Sequence, residues 1–265
     1  MAQEPGARFA DRLAVVTGAA SGIGRATALR LAREGAAVAA VDRNAPGAEE
    51  TAAAIRAAAG RARGYACDVA ASTEVDTTAR RIEEELGPVD VLANVAGVGD
   101  AAGALGIEEI ADARWNLVLA VNLSGAFYWC RSLLPRMAAR GRGAVVNVSS
   151  LAGRSKSANG GPAYTASKAG LLGLTRHLAF DYGPRGVRVN AICPGGVDTP
   201  MIRAGRAGEE TAGRAERLAA YGYFMPIKRL STPDEQAAAI AFLASDDASY
   251  VNGVALDVNG GLYMA

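Results

Sequence analysis

Short runs rich in β-branched residues alternate along the chain with longer segments rich in Ala and Leu, and this alternation constrains the fold more than any other feature. Most of the short runs lack polar alternation, which favours strands that are covered on both faces. The pattern predicts an α/β fold with a mostly parallel, seven-stranded, doubly wound sheet and helices on both faces. The predicted strands span 13–17, 37–41, 63–67, 89–93, 144–148, 188–192 and 254–258. The predicted helices span 22–34, 48–59, 72–86, 113–140, 164–182 and 233–244.

The composition is that of a folded domain. Hydrophobic residues make up 50% of the 265 positions and charged residues 21%, which allows a large core and excludes global disorder. We find no segment with the composition of a disordered linker and no internal repeat. The chain is therefore predicted to be a single Rossmann-type domain over 1–265.

Charge and cysteine usage exclude several classes of protein. Lys+Arg minus Asp+Glu is 28 − 27 = +1, which gives no net field to attract nucleic acid or an anionic bilayer. The longest weakly polar stretch, 115–130, is shorter than the roughly 18 apolar residues of a membrane span. The N-terminal segment 1–11 lacks the apolar core of a secretory signal. The 3 cysteines are an odd number and widely spaced, which indicates neither a disulfide framework nor a metal site. We therefore expect a cytoplasmic protein without a bound metal and without nucleic-acid or membrane partners.

A glycine-rich turn between the first predicted strand and the first predicted helix is a candidate binding site. The sequence TGAASGIG at 17–24 has GxxxGxG spacing and lacks the Gly-Lys-Ser/Thr of a P-loop. Such a turn lets the backbone approach a pyrophosphate, and the helix N-terminus supplies free N–H groups and a positive dipole. The residues predicted to contact a dinucleotide here are Gly18, Ser21, Gly22, Ile23 and Gly24.

An acidic residue after the second predicted strand bears on the choice of dinucleotide. Asp42 follows Gly24 by 18 positions, where a carboxylate can accept both adenine-ribose hydroxyls and repels a 2′-phosphate. Arg43 could instead pair with that phosphate, but no Arg or Lys lies inside the glycine turn to assist it. NAD is therefore preferred over NADP. After the next strands, Asp68 could bond the adenine amino group, and Asn94 could hold a ribose or a neighbouring backbone segment.

Tyr164 and Lys168 lie near the start of a predicted helix, within the sequence YTASK. Their spacing of four places both side chains on one helix face. A phenol ordinarily has a pKa of about 10 and is a poor base near neutrality, but a neighbouring ammonium and an oxidised nicotinamide favour the phenolate. Tyr164 could then take a proton from an alcohol as hydride leaves, or donate one to a ketone. Standing alone, the same spacing would more often be a surface pair.

Further polar residues accompany this pair. The run VVNVSS at 145–150 has the pattern of a buried strand that ends in two hydroxyls, and such a hydroxyl can orient a reacting oxygen. Asn122 lies inside a predicted helix, where Asn is not favoured. A local distortion that holds a water would account for it, and the alternative is a hydrogen-bonded polar residue between packed helices.

Together these motifs resemble those of the short-chain dehydrogenases/reductases over nearly the whole chain, 14–261. TGAASGIG, NVAG, VNLSG, VSS, YTASK and the Cys-Pro-Gly stretch at 193–195 follow the family's order. The resemblance implies that Tyr164 is the general acid/base and that Ser150, rather than Ser149, orients the substrate oxygen. It also implies that Lys168 binds the nicotinamide ribose and lowers the pKa of Tyr164, and that Asn122 holds a proton-relay water. The further cofactor contacts that it implies are Val69, Ala96, Gly97, Tyr164, Lys168, Pro194, Gly195, Val197 and Thr199.

The expected activity is hydride transfer between NAD and a secondary alcohol or ketone. One alternative is an NADPH-dependent 3-oxoacyl-thioester reductase, whose chain plan is nearly the same. A second is a nucleotide-sugar epimerase or dehydratase, which usually adds a larger C-terminal region. A third is a non-catalytic NAD-binding protein, against which the complete set of candidate catalytic residues argues.

The segment 199–225 is expected to form a substrate lid, because a connection of this length is usually functional. Its apolar residues predict an apolar alcohol or ketone, such as an alicyclic, aromatic or terpenoid compound. These residues are Met201, Tyr221, Tyr223, Phe224 and Met225. The resemblance further suggests a homotetramer, or a dimer, with the predicted helices 113–140 and 164–182 at an interface.

Overall fold

A computed structural model describes residues 7–99, 107–155, 160–203 and 225–264. In these ranges seven strands form one parallel sheet in the order β3-β2-β1-β4-β5-β6-β7, which confirms the predicted fold class. The strands are β1 (Leu13–Thr17), β2 (Ala37–Asp42), β3 (Ala62–Ala66), β4 (Val91–Asn94), β5 (Gly143–Val148), β6 (Val187–Pro194) and β7 (Ala255–Val258). The α-helices are α1 (Gly22–Arg33), α2 (Ala45–Ala57), α3 (Ser72–Leu86), α4 (Asp112–Leu119), α5 (Gly125–Ala139), α6 (Pro162–Tyr182), α7 (Pro200–Arg203) and α8 (Pro233–Ala244).

The central strand β1 determines where a ligand can bind. Val15 lies opposite Ala39 of β2 on one side and Leu92 of β4 on the other. Strands β2 and β3 lie in turn on one side of β1, and the next strand along the chain, β4, lies on the opposite side of β1. Such a reversal of strand order opens a crevice at the carboxyl ends of the strands, where ligands bind in open α/β sheets.

Each face of the sheet has its own apolar core. On one face, α3 and α5 contribute Ile82, Trp129 and Leu133, all with 0% exposure. On the other face, α1 and α8 contribute Leu31 and Ile240, also with 0% exposure. Because both faces are covered, the strands need apolar residues on both sides, which explains why their sequences lack polar alternation.

The long helix predicted over 113–140 is not continuous. It is divided into α4, a π-helical turn at Ala120–Ser124, and α5. The N–H of Gly125 bonds the carbonyl oxygen of Ala120, five residues earlier. The backbone distortion expected around Asn122 is therefore present, and π-turns of this kind are frequent at functional sites.

The combined segment Asp112–Ala139 is, in the described part of the chain, long and apolar enough to cross a membrane. Half of the most apolar stretch of this segment is nevertheless buried inside the fold. Trp129, Leu133 and Met137 all have 0% exposure and belong to the core on one face of the sheet. This packing accounts for the apolar composition of the segment.

Candidate active site

The turn between β1 and α1 packs against the loop that follows β4. Gly18 has φ of 68°, in the left-handed region that favours glycine, and a Cβ on it would lie 2.9 Å from the Cα of Ala96. A Cβ on Gly24 would lie 2.0 Å from the carbonyl oxygen of Gly18. The hydroxyl of Thr17 accepts the N–H groups of Val95 and Ala96 at 3.0 and 3.1 Å. These close contacts leave no room for a side chain at either glycine, and we call this turn without side chains the glycine cradle.

The N-terminus of α1 provides the donors that an anionic group needs. Ser21 precedes the helix in an extended conformation, its side chain makes no capping bond, and the first turn of α1 contains no acidic residue. The first backbone N–H groups and the positive end of the helix dipole thus remain available at the crevice. The glycine cradle and this set of donors fit the pyrophosphate of a dinucleotide.

Asp42 ends β2 beside this turn. Its Oδ2 accepts the N–H of Ala20 at 3.0 Å, and its Oδ1 accepts the N–H of Asn44 at 2.9 Å. The two bonds fix the orientation of the carboxylate, and each oxygen keeps a lone pair for a further donor such as a ribose hydroxyl. Arg43 lines the same cleft. Both residues that bear on the choice between NAD and NADP therefore border the cleft.

A cleft of about 390 Å³ runs along the carboxyl ends of β1 to β4. Its volume lies in the range of small-molecule sites. The predicted cofactor residues that line it are Gly18, Ser21, Gly22, Ile23, Gly24, Asp42, Arg43, Asp68, Val69, Ala96, Gly97 and Thr199. The remaining lining residues are Ala20, Asn44, Cys67, Val95, Val98, Leu117, Val121, Pro200 and Met201.

Asn94, a predicted cofactor residue, lies outside this lining. Its Nδ2 donates to Oδ1 of Asn147 on β5 at 2.9 Å and approaches the sulfur of Cys130 on α5 at 3.6 Å. The Nδ2 of Asn147 in turn donates to the hydroxyl of Thr175 on α6 at 2.9 Å. In this structure the Asn94 amide therefore joins β4 to side chains of β5 and α5, which is neither of the two contacts expected from the sequence.

The predicted contacts after β6 also lie outside the lining, with the exception of Thr199. Pro194 ends β6, and a Cβ on Gly195 would lie 2.9 Å from the Cα of Asn259. Val197 is buried and forms an isolated parallel bridge with Ser231. These residues join the end of β6 to the C-terminal segment and thereby fix where the chain approaches the cleft at Thr199.

The π-helical turn brings Asn122 to the loop after β4. Its Oδ1 accepts the N–H of Val98 at 2.8 Å, and its Nδ2 donates to the carbonyl of Val98 at 3.1 Å. Nδ2 also approaches the hydroxyl of Ser167 on α6 at 3.2 Å, and that hydroxyl donates to the carbonyl of Tyr164 at 2.7 Å. Asn122 thus connects the cleft wall at Val98 to the first turns of α6.

Lys168 lies immediately behind the cleft wall. Its Nζ donates to the carbonyl oxygen of Val148 at 2.8 Å and lies 5.7 Å from the centroid of the Tyr164 ring. Burial of the side chain lowers the pKa of Lys168 to about 8, and the neighbouring Cys193 acts weakly in the opposite direction. A Cβ on Gly97 would lie only 3.5 Å from this Nζ. Lys168 thus lies behind the cleft wall with Tyr164 beside it, and both side chains share one face of α6 as the sequence spacing predicts. Neither residue is among those that line the cleft.

The two serines that follow β5 have different surroundings. The buried Ser149 donates its hydroxyl to the carbonyl of Lys168 at 2.8 Å, which ties the strand to α6. The Oγ of Ser150 accepts the N–H of Ala152 at 3.1 Å and is only half-buried. This difference favours Ser150 as the hydroxyl that can meet a substrate.

The predicted lid lies only partly within the described residues. Thr199 packs on the glycine turn, with its Cγ2 3.3 Å from where a Cβ on Gly22 would lie. Met201 is half-exposed and lines the cleft beside Gly99, and Met225 is buried. The segment 204–224, with the three aromatic residues expected in the lid, lies outside the described residues.

Sequence reasoning missed residues that complete the site. Val98 holds Asn122 through its backbone, so its side-chain type carries no signal in the sequence. Ser167 could have been noted, because it lies within YTASK one position before Lys168. Leu117 of α4 lines the cleft, but it has the appearance of an ordinary helix residue.

Comparison with known proteins identifies the family. A family model described as enoyl-(acyl carrier protein) reductase matches residues 18–263. A cis-4-hydroxycyclohexanecarboxylate dehydrogenase from Sinomonas cyclohexanicum is 44% identical over 97% of this chain and 98% of its own length. The chain belongs to the short-chain dehydrogenase/reductase family.

Solved structures of similar proteins agree with this family assignment. A 3-oxoacyl-[acyl-carrier protein] reductase with bound NAD from Brucella melitensis superposes with a TM-score of 0.87 at 35% identity, over 97% of this chain and 93% of that one. A putative NAD(P)-dependent gluconate 5-dehydrogenase from Beutenbergia cavernae, with bound NADP at low occupancy, gives 0.87 at 40% identity over 96% and 97%. Like its named relatives, this short-chain dehydrogenase/reductase is an oxidoreductase that acts on CH–OH groups.

Proposed function

We propose that this short-chain dehydrogenase/reductase transfers a hydride between NAD and an apolar secondary alcohol or ketone, with Tyr164 as the general acid/base. The observation that carries the proposal is the position of Lys168. Its buried ammonium lies 5.7 Å from the Tyr164 ring and directly behind Gly97 in the cleft wall. A cation held in this position favours the charged form of a neighbouring phenol.

In this proposal, different side chains transfer the proton, orient the substrate oxygen and hold the cofactor. Tyr164 takes the proton of the alcohol hydroxyl in the oxidative direction and returns one to the carbonyl oxygen in the reductive direction. Ser150 hydrogen-bonds the same oxygen and orients it towards the phenol. Lys168 holds the nicotinamide ribose, and Asn122 joins the loop after β4 to α6 through its bonds to Val98 and Ser167. The dinucleotide, when bound, supplies the hydride acceptor or donor.

The preference for NAD is supported by Asp42. Its carboxylate borders the cleft in an orientation fixed by two backbone N–H groups, where it would repel a 2′-phosphate. Arg43 borders the same cleft and favours the second candidate, an NADPH-dependent 3-oxoacyl-thioester reductase. Replacing Asp42 with Ala should leave Arg43 unopposed and shift the kcat/KM ratio towards NADP by at least about tenfold, the equivalent of about 1.4 kcal/mol. A wild-type enzyme that already prefers NADP would contradict the NAD proposal.

The substrate class is supported by the relative that acts on an alicyclic hydroxy acid and by the apolar side chains near the cleft. Met201 and Leu117 line the cleft, and Met225, at the end of the predicted lid, is buried. The direct test is a panel of alicyclic, aromatic and acyclic secondary alcohols, with their ketones and a 3-oxoacyl thioester, followed at 340 nm with each dinucleotide. Turnover confined to the thioester with NADPH would select the second candidate, and absence of turnover on every alcohol and ketone of the panel would contradict the proposed substrate class.

We also propose a homotetramer, with α5 and α6 at an interface. Phe127 of α5 and Phe180 of α6 are exposed by 41% and 83%, and a subunit contact over these helices would remove both rings from water. Light scattering coupled to size-exclusion chromatography tests this proposal. A monomeric mass at micromolar concentration would contradict it.

A further inference from the structure

An ion pair joins the loop that carries Ser150 to the edge strand of the sheet. A terminal nitrogen of the Arg154 guanidinium lies 2.7 Å from Oδ2 of Asp257, which is on β7. The two side chains are only 24% and 22% exposed. The guanidinium carbon also lies 5.4 Å from the centroid of the Tyr263 ring. Arg154 therefore connects the loop after β5 both to β7 and to the C-terminal segment.

This pair differs from an ordinary surface salt bridge. Among the described residues, Nε of Arg154 and Oδ1 of Asp257 are buried without a hydrogen-bond partner. One nitrogen and one oxygen of the pair are thus shielded from water, while the rest of the two charged groups is partly exposed. Loss of one partner would leave the other charge unpaired with one of its polar atoms buried, so the pair holds its two segments in one arrangement more strictly than a fully exposed pair would.

The turn that ends at Arg154 also fixes the hydroxyl of Ser150. The Oγ of Ser150 accepts the N–H of Ala152, and the carbonyl of Ser150 accepts the N–H of Gly153 at 2.9 Å. The N–H of Arg154 bonds the carbonyl of Leu151 at 2.9 Å. Because Oγ already accepts a bond from within the turn, the hydroxyl hydrogen is left to donate to another oxygen.

The turn is confined from its other side by α6. A Cβ on Gly153 would lie 2.7 Å from the carbonyl oxygen of Lys168 and 2.7 Å from the hydroxyl of Ser149. The turn thus lies between the helix that carries Lys168 and the strand that carries Asp257. Contact with α6 sets its distance from the Tyr–Lys pair, and the ion pair sets its position along the edge of the sheet.

We propose that Arg154 is a positioning residue, which holds the Ser150 hydroxyl in place for the substrate oxygen through its pair with Asp257. The inference rests on the proposed function, because Ser150 matters to turnover only if it meets a substrate. Arg154 itself touches the turn, Asp257 and Tyr263, and acts on the reaction through Ser150.

The test is a set of variants measured for turnover, NAD affinity and backbone exchange. Arg154→Met keeps most of the apolar stem and removes the charge. We expect kcat to fall by about tenfold, because small displacements of an orienting group are costly, while the Kd for NAD stays within about twofold. Arg81→Met is the matched control: Arg81 pairs with Glu85 at 2.9 Å and lies 5.5 Å from the ring of Tyr65, on the surface and away from the cleft.

A background variant separates positioning from general destabilisation. In a Ser150→Ala enzyme, Arg154→Met should lower kcat no further, since the group that it positions is already gone. A merely structural Arg154 would lower kcat equally in both backgrounds, and that result would overturn the proposal. Arg154→Lys, which keeps the charge but loses the planar fork, should recover part of kcat.

Hydrogen exchange tests the same proposal without any substrate. Peptides that cover 150–155 should exchange faster in Arg154→Met than in wild type or Arg81→Met, because the ion pair no longer holds the turn. Unchanged exchange would overturn the proposal even if turnover fell. If Arg154→Met does not fold, Asp257→Asn makes the same comparison with Arg154 retained. A wild-type enzyme without activity on any alcohol or ketone would refute the proposed function, while the exchange experiment would still decide whether Arg154 holds the turn.

Discussion

The buried ammonium of Lys168 makes a prediction about stability that does not depend on any substrate. In the cofactor-free protein its side chain is 4% exposed, and burial lowers the pKa of Lys168 from 10.5 to about 8. The perturbation is Lys168→Met, which keeps a flexible apolar stem of similar length and removes the charge. Comparing the two proteins as a function of pH isolates the contribution of this ammonium.

The sign and size follow from proton binding. Between pH 8 and 10.5 the folded protein has released the Lys168 proton and the unfolded chain still holds it, so the unfolded state binds more protons and the free energy of unfolding rises with pH. The cost of burying the charge is fully present below about pH 8 and is gone near pH 10.5. The gap of about 2.5 pKa units, at 1.36 kcal/mol per unit, corresponds to about 3 kcal/mol.

Urea unfolding followed by tryptophan fluorescence measures this effect. The free energy of unfolding of wild type minus that of Lys168→Met should increase by about 3 kcal/mol from pH 7.5 to 10.5, with most of the change above pH 8. Lys228→Met, which removes an exposed lysine, is the control for the loss of one positive charge. A difference between wild type and Lys168→Met that is constant with pH would refute the reasoning.

Two further predictions concern the cradle and the core beneath it. Gly24→Ala places a Cβ 2.0 Å from the carbonyl of Gly18, so the Kd for NAD in titration calorimetry should rise by at least about tenfold. Gly173→Ala, whose new Cβ meets no atom within 4 Å apart from its own helix backbone and chain neighbours, should leave the Kd unchanged. Equal NAD affinity in both variants would show that the turn adapts. Asn147→Leu removes the buried partner of Asn94 and Thr175 and should lower the free energy of unfolding by about 2 kcal/mol. A loss below about 0.5 kcal/mol would mean that water replaces the lost bonds.

Much of this architecture is predictable because each local signal agrees with the fold. Fully buried parallel strands need continuous apolar runs, and the glycines at 18 and 24 are required by contacts with backbone atoms. The helical spacing of Tyr164 and Lys168 fixes their common face. Asn122 indicated a distortion because Asn is unfavourable within a regular helix, and the π-turn lies around it.

The remaining features depend on tertiary contacts that carry no local signal. The end of α4 at Leu119 and the restart at Gly125 follow from a five-residue backbone bond that the sequence does not specify. Asn94 has the sequence context of a crevice residue, yet its amide bonds across the core to Asn147, a partner 53 positions away. The distinction between Ser149 and Ser150 likewise depends on the packing of α6 against β5.

The central claim is that the phenol of Tyr164, beside the Lys168 ammonium, moves the proton in hydride transfer. The most direct measurement is the turnover of Tyr164→Phe on the best alcohol of the panel, together with its Kd for NAD. The account predicts a fall in kcat of about 100-fold or more, the usual scale for removal of a general acid/base, with NAD affinity within about twofold of wild type. Turnover within about threefold of wild type would contradict it.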